Sequence, residues 1–406
     1  MDTQGSLLAV VLVLSMLFLV SSAADASWTH PRADSANTGA TGATHPGNGS
    51  TAWTKAFEHE IIGSPVPGNG NVLLAEAEVH AFDTETGEEE WSFRPTWSNF
   101  TLPPGWIETT PVTDGETVLF STAYPSIHAI DAETGTERWR VQTENVHRSL
   151  IVSNGTIFSA ADLNITAHSL TDGEDQWSFD VDNPLQGLTV DGDILYAVSS
   201  NQTEGSVHAL DTDDGERFWS QPTEEAVTAR PAIGEETVLI GGGSKDGFVR
   251  AYERSGGEEL WKANTSGVVR SVSLADGRVL ATEQTVNDSR LDLSVLSVES
   301  GEKAWSAEGV SVHVSVANEI VYVGGSDVHG LSLETGKMVR FFSGVRSAET
   351  VSVGSGLVFA TTDTELHALN GGQEIHSSAE NETDGPGVVA VLCVAWSTIV
   401  VRRRVV

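Results

Sequence analysis

The sequence predicts an all-β protein, an eight-bladed β-propeller of four-stranded antiparallel blades closed by an N-terminal Trp strand. Three observations carry this expectation. A phrase that joins an apolar alternation, an acid, a Thr-Gly pair and a Trp, first met as VHAFDTETGEEEW (79–91), is present in eight copies spaced about 40 residues apart. The intervening segments show no helical period and consist of short apolar runs bounded by Gly turns. A lone Trp strand ahead of the first copy complements a last copy that lacks its Trp.

The copies continue as IHAIDAETGTERW (127–139), ITAHSLTDGEDQW (165–177), VHALDTDDGERFW (207–219), VRAYERSGGEELW (249–261) and LSVLSVESGEKAW (293–305). Two weaker copies follow: VHGLSLETGKMVR (328–340), which has lost the Trp, and LHALNGGQEIH (366–376). Ahead of each phrase lies a strand such as ETVLF (116–120) or EIVYV (319–323), after a turn signal such as Asp114-Gly115. Ahead of that lies an inner segment such as GSPVP (63–67), TTPVT (109–113), ARPAI (229–233) or RSVSL (270–274). Each unit therefore reads as four strands, the blade of a propeller. Trp53 heads WTKAFE (53–58) with no companion strand of its own. Pairing it with the last copy closes the ring and removes its exposed edges. The alternative closing strand is QEIHSS (373–378), which sends Trp53 elsewhere.

Within the phrase, Asp83 can accept backbone N–H groups of the turn, and Gly87 can take positive φ without a Cβ penalty. Trp91 is expected to fold back over the turn and fill the wedge between blades. Trp53, Trp139, Trp177, Trp219, Trp261 and Trp305 take the same structural role. None of these groups is a nucleophile, a base or a metal cage, and no catalytic residue is expected.

At these residues the chain resembles the pyrroloquinoline-quinone-like β-propeller repeat family, whose blades carry A-x-D-x-x-T-G-x-x-x-W. The resemblance covers roughly residues 50–375. The stretch WTHPRADSANTG (28–39) looks like the head segment of haloarchaeal members. The family holds quinoprotein dehydrogenases and also non-catalytic scaffolds, such as the propeller lipoprotein of the outer-membrane β-barrel assembly machinery. Its dehydrogenases hold the quinone between a Trp and an adjacent-cysteine disulfide, beside a calcium ion. The only cysteine here is Cys393, near the C-terminus, and no set of Glu, Asn and Asp stands out from turn residues. The expectation is a chain without quinone (PQQ) or calcium, and without a metal site, that serves as a protein-binding or assembly scaffold. The alternatives are a quinone-dependent oxidoreductase and a glycan- or anion-binding surface protein.

Charge and termini point outward. There are 57 acidic against 22 basic residues, a net charge of −35, which suits a surface adapted to brine and repels nucleic-acid phosphates. Residues 1–26 read as a signal peptide, with the apolar run LLAVVLVLSMLFLV before small residues, although no basic residue precedes it. A head segment and linker (27–50), the propeller (51–378) and a second linker (379–387) follow. Residues 388–406 read as a C-terminal membrane anchor or sorting signal after Pro386-Gly387, ending near Arg402–Arg404; Val388 stands where that signal has Phe. Eight Asn-x-Ser/Thr sequons, Asn48, Asn99, Asn154, Asn164, Asn201, Asn264, Asn287 and Asn381, fit a glycosylated extracellular location on the cell surface. The expected partners are other cell-surface or membrane proteins, with a small anion or glycan as a further ligand.

Two features break the repeat's uniformity. The inner-strand slot holds Ser64, Thr110, Arg148, Gln186, Arg230, Arg270, His313 and Arg346. Four arginines in one slot of so acidic a chain would make an anion site if they converge on the channel. Alternatively each pairs with a neighbouring acid, as Arg346 with Glu349. The second feature is an insertion, RPTWSNFTLPPGWIE (94–108), whose Trp97, Phe100 and Trp106 suit a lid or a partner-binding lip, or else pack against the blades. Histidines recur at His80, His128, His208, His329 and His367. On separate blades they form a wide ring and cannot meet at one ion.

Overall fold

The computed structural model describes residues 40–41, 50–68, 70–97, 100–101, 106–285, 290–370, 373–374 and 388–389. Among these, eight four-stranded antiparallel meanders form a ring and no helix is present, so the chain is an eight-bladed β-propeller. Blade 1 runs from its innermost strand Ile62–Gly68 through Asn71–Ala75 and Val79–Asp83 to the outermost Glu89–Phe93. Blades 2 to 7 repeat this order over 112–142, 149–180, 185–223, 232–265, 268–308 and 315–342. Blade 8 joins Thr350–Gly354, Leu357–Thr361 and Glu365–Leu369 to the N-terminal strand Thr51–Ala56.

That last pairing is the expected closure. Trp53 stands opposite Ala368 and Lys55 opposite Leu366, so the ring is tied by its two ends and no inter-blade edge is left open. Gln373–Glu374 does not close blade 8. It adds instead to the outside of blade 7, with Phe341 opposite Gln373 and Arg340 opposite Glu374. The physical reason is length: six residues including a Trp outcompete a two-residue pairing.

The inner three strands are buried almost continuously, as in Thr117–Thr122 and Ile194–Ser200, because each blade buries both faces against its neighbours. Eight apolar clusters each span two successive blades; one joins Phe158 and Ile165 of blade 3 to Leu188 and Leu195 of blade 4. Tyr196, Tyr322, Phe120, Phe158, Phe248 and Phe359 are fully enclosed in these layers. The outermost strands are the exception, reading exposed and half-buried in turn, as in Glu137–Gln142 and Asp175–Asp180.

The strand order gives the ring two different faces. Hairpins between second and third strands, and loops leading to the next blade, emerge on what we call the upper face. The Gly turns and the Thr-Gly turns emerge on the lower face. Residues Ala40–Thr41 of the head segment run parallel to Ser315–Ala317, the innermost strand of blade 7, and so lie on the channel side. Val388–Val389 pairs with the outermost strand of blade 6. Among the described residues no helix is long and apolar enough to cross a membrane. The expected signal peptide, most of the head and of the anchor segment, and the sequons at Asn48, Asn99, Asn287 and Asn381 lie outside the described residues.

Candidate functional site

The repeated residues are spent on holding the ring together. Asp83 Oδ1 accepts the backbone N–H of Thr86 at 2.7 Å, its hydroxyl at 2.7 Å and the N–H of Glu85 at 3.1 Å. These bonds, the Thr86 backbone first, hold the Asp83 carboxyl below its usual range. In blade 2 the Asp131 carboxyl is lowered to about 2, chiefly by Arg138 and then by the Thr134 hydroxyl and N–H. Gly87 and Gly135 sit in the left-handed region at φ 68°, where a Cβ would be strained.

The Trp does not return to its own turn, as the sequence suggested. It crosses to the next blade. Trp53 Nε1 donates to Thr84 O at 2.9 Å, Trp91 to Ala132 O at 2.9 Å, Trp139 to Leu170 O at 3.0 Å and Trp177 to Thr212 O at 3.0 Å. Trp219, Trp261 and Trp305 donate likewise to Arg254, Val298 and Leu333 at 2.8 to 3.0 Å. Each indole lies on the neighbour's turn glycine: a Cβ on Gly87 would stand 2.5 Å from the Trp53 ring, and one on Gly135 2.7 Å from Trp91. Seven junctions carry this contact. At the eighth, blade 7 offers Arg340 in place of Trp.

The recurrent histidines are likewise internal to the blades. His128 is buried, with Nδ1 at 2.9 Å from Glu137; His80 lies 2.8 Å from Glu89, and His367 3.1 Å from the Thr54 hydroxyl. Burial pushes His208 down to about 4 and lowers His329 and His367, so these rings are neutral packing groups near pH 7. Among the described residues no group of three or more His, Cys, Asp or Glu is arranged to hold a metal ion. One chain of contacts escaped sequence reading: His59 meets the buried Glu76 at 2.8 Å, and Glu76 in turn approaches His80 at 3.3 Å. It joins the loop after the closing strand to the blade 1 hairpin, and the only signal for it was a Glu in that hairpin.

The inner-strand slot lies at the upper end of the channel, and its members meet different fates. Ser64 and His313 come together at 2.9 Å, linking blade 1 to the strand entry of blade 7 across blade 8. Thr110 leans on Gly63, and Arg230 leans on Gly187 in the equivalent way one blade back. Gln186 donates both its N–H groups to Pro184 O and Ser200 O, each at 3.1 Å. Arg270 is exposed and donates to Gln284 Oε1 at 2.9 Å. Arg148 and Arg346 are exposed. The suggested pairing of Arg346 with Glu349 is not made: Glu349 meets Asp363 instead, and this shared contact with burial raises the Glu349 carboxyl to about 7. Beside the slot, between blades 4 and 5, a cleft of about 670 Å³ opens on the upper face, lined in part by Pro184, Gln186, Ser200, Val227 and Thr228.

The insertion also belongs to the upper face and is anchored at both ends on blade 2. Trp106 is half-buried and stacks on Tyr124 with centroids 5.8 Å apart and planes 12° apart. Its carbonyl accepts from Ala123 N at 2.7 Å, and Ile107 bridges Thr122. At the other end Arg140 Nη1 donates to Thr96 O at 2.6 Å. Between these anchors Thr96–Trp97 and Phe100–Thr101 pair as a short ribbon, Trp97 opposite Phe100. Of the described sequons, Asn154 sits in a left-handed turn (φ 49°), and Asn201 and Asn264 are exposed. Asn164 is half-buried and bonded to Asp180 at 2.8 Å.

Comparison with known proteins agrees with this geometry. The family model described as outer membrane protein assembly factor BamB matches residues 37–103, 75–203 and 203–362. No curated protein sequence matches the chain. Among solved structures, BamB from Moraxella catarrhalis is similar with a TM-score of 0.62 at 14% identity, over 79% of this chain and 99% of that one. Quinohemoprotein alcohol dehydrogenase from Comamonas testosteroni gives 0.70 at 14% identity, over 90% and 84%. A computationally designed protein, Ika8, gives 0.66 at 14% identity, over 80% and 100%. At such identities the structures share the fold alone, but the family model spans well over half of the sequence. The chain belongs to the family of BamB-like β-propellers.

Proposed function

We propose that this protein is an exported, surface-anchored scaffold that binds other cell-envelope proteins through its upper face and carries no catalytic centre. One observation supports this above all. The repeated acids, histidines and tryptophans are consumed by turns and by packing within and between blades, whereas the upper face carries two unrepeated features, the aromatic insertion and the cleft between blades 4 and 5; a second cleft, between blades 6 and 7, opens on the lower face. Non-repeated surface on a rigid repeat is where recognition resides. Membership of a family named for an assembly factor favours the same reading. Export and anchoring rest on the apolar N-terminal run, the C-terminal Pro-Gly, apolar and Arg succession, and the sequons.

The rival is a quinone-dependent oxidoreductase, favoured by the likeness to quinohemoprotein alcohol dehydrogenases. With a single cysteine in the chain, an adjacent-cysteine clamp for a quinone cannot form. Two measurements on the purified full chain separate the readings. Dye-linked alcohol or sugar oxidation after addition of quinone and calcium should stay at background, and affinity capture from native high-salt membranes should retain a stoichiometric envelope protein. Quinone-dependent turnover without a co-purifying protein would reverse the assignment.

A further inference from the structure

The four inner-slot arginines are alike in sequence, and the structure separates them. Arg148 and Arg346 project into solvent, and Arg270 is engaged by Gln284. Arg230 alone of the four is half-buried. Its stem lies across Gly187 of the preceding blade so closely that a Cβ there would be 2.2 Å from its Cγ. It makes no hydrogen bond or ion pair with any described residue, and only lost hydration acts on its charge, in the destabilising direction. Part of its surface stays accessible, and it lies just ahead of Ala232–Ile233, the innermost strand of blade 5, which borders the channel.

A half-buried guanidinium with its donors unspent carries a desolvation cost that a counter-charge would offset. The polar side chains that line the neighbouring cleft are neutral and supply none: Gln186 donates to the Pro184 and Ser200 carbonyls, the Thr228 hydroxyl to the Val269 carbonyl, and the Ser200 hydroxyl to the carbonyls of Asn201 and Glu204. Directly beside these residues lies the cleft between blades 4 and 5, a path from the upper face. Gly187 is also chosen by this arrangement: its backbone needs no left-handed conformation, so what excludes a side chain there is the space taken by Arg230.

We propose that Arg230 is the recognition group of a binding site for a small oxyanion, a carboxylate or sulfate, at the upper mouth of the channel between blades 4 and 5. A planar guanidinium grips such groups with two parallel N–H bonds. The net charge of −35 opposes anion entry at long range, so the site works best in concentrated salt. At about 1 M the Debye length shrinks to about 3 Å and short-range contact decides. This site is independent of the scaffold reading, since it needs neither the aromatic insertion nor a protein partner.

The test is calorimetric titration of the full chain with sodium sulfate and with sodium succinate in about 1 M NaCl, with thermal unfolding in the same solutions. The site predicts one bound anion per chain and a transition temperature that rises with it. Arg230→Gln should weaken binding at least about tenfold, while Arg270→Gln stays within about twofold. If Arg230→Gln fails to fold, Gly187→Ala provides the second arm: it displaces the side chain without removing the charge, and should also weaken binding. Tighter binding of succinate than sulfate identifies planar carboxylates as the ligand class, and the reverse identifies tetrahedral anions. No binding of either probe to the natural chain, or equal binding by Arg230→Gln, overturns the proposal.

Discussion

Removing the Trp91 side chain tests whether the repeat phrase joins consecutive blades. Trp91 is only 8% exposed and packs within the layer shared by blades 1 and 2. Truncation to Ala should cost about 3–5 kcal/mol, as for other large buried aromatics. Gly135→Ala attacks the same contact from the other side. Its Cβ would stand 2.7 Å from the indole, in a backbone at φ 68°. The left-handed strain is worth about 1–2 kcal/mol and the overpacking about 1–3 kcal/mol more. In the Trp91→Ala background the overpacking vanishes, because the ring it strikes is gone, and only the strain remains. Equilibrium unfolding of the two single variants and the double variant should therefore show about 1–3 kcal/mol of coupling. The same cycle run with Gly87→Ala should be additive within about 0.5 kcal/mol, since Gly87 supports Trp53. Coupling of Trp91 to Gly87 with additivity at Gly135 would refute the blade-to-blade staple.

Further outcomes follow from the charge environments and from the closure. His208 is buried with its pKa lowered to about 4, so the unfolded chain binds its proton first as pH falls. Stability present above about pH 6.5 is lost progressively toward pH 4, by up to about 3 kcal/mol, and His208→Asn should flatten that limb of the pH–stability curve. Glu349 has the opposite sign. Its folded pKa is raised to about 7 by Asp363 and burial, so the folded chain holds the proton longer and stability falls as pH rises from about 4.5 to 7. Glu349 and Asp363 are exposed, which screens the effect to within about 1 kcal/mol; Glu349→Gln should remove it in the same titration. Deleting residues 1–56 leaves Glu365–Leu369 as an open edge, and light scattering should show a larger mean mass, relative to one chain, than the full chain gives under the same conditions. Trp106→Ala forfeits a stack with Tyr124 worth about 0.5–1.5 kcal/mol, and should leave the ring folded by circular dichroism.

Much of the fold was legible because the phrase repeats, and repetition averages away the ambiguity of any single strand. Blade number, strand order and closure by Trp53 follow from counting copies and noticing what the first and last copies lack. The partner of each Trp was not legible. A residue eight places from Asp83 reads as if it returned to its own turn, and only the fan of the blades shows that the neighbour's turn is nearer. The inner slot illustrates the same limit. Its members do not share one register, since Glu349 of blade 8, not Arg346, stands level with Arg148 of blade 3, and whether an arginine there is exposed, bonded or enclosed depends on small neighbours such as Gly187 in a different blade. The expectation that Arg346 pairs with Glu349 failed because proximity along a loop does not fix direction, and Glu349 turns to Asp363 on the adjoining hairpin.

The most direct test of the central claim is site-specific photocrosslinking in native high-salt membranes. One probe is placed at Thr96 on the upper-face insertion and one at Glu133 in a lower-face Thr-Gly turn. The scaffold account predicts a discrete protein adduct from Thr96, abolished by Trp106→Ala, and none from Glu133. Adducts from Glu133 alone, or equal yields from both faces, would contradict it.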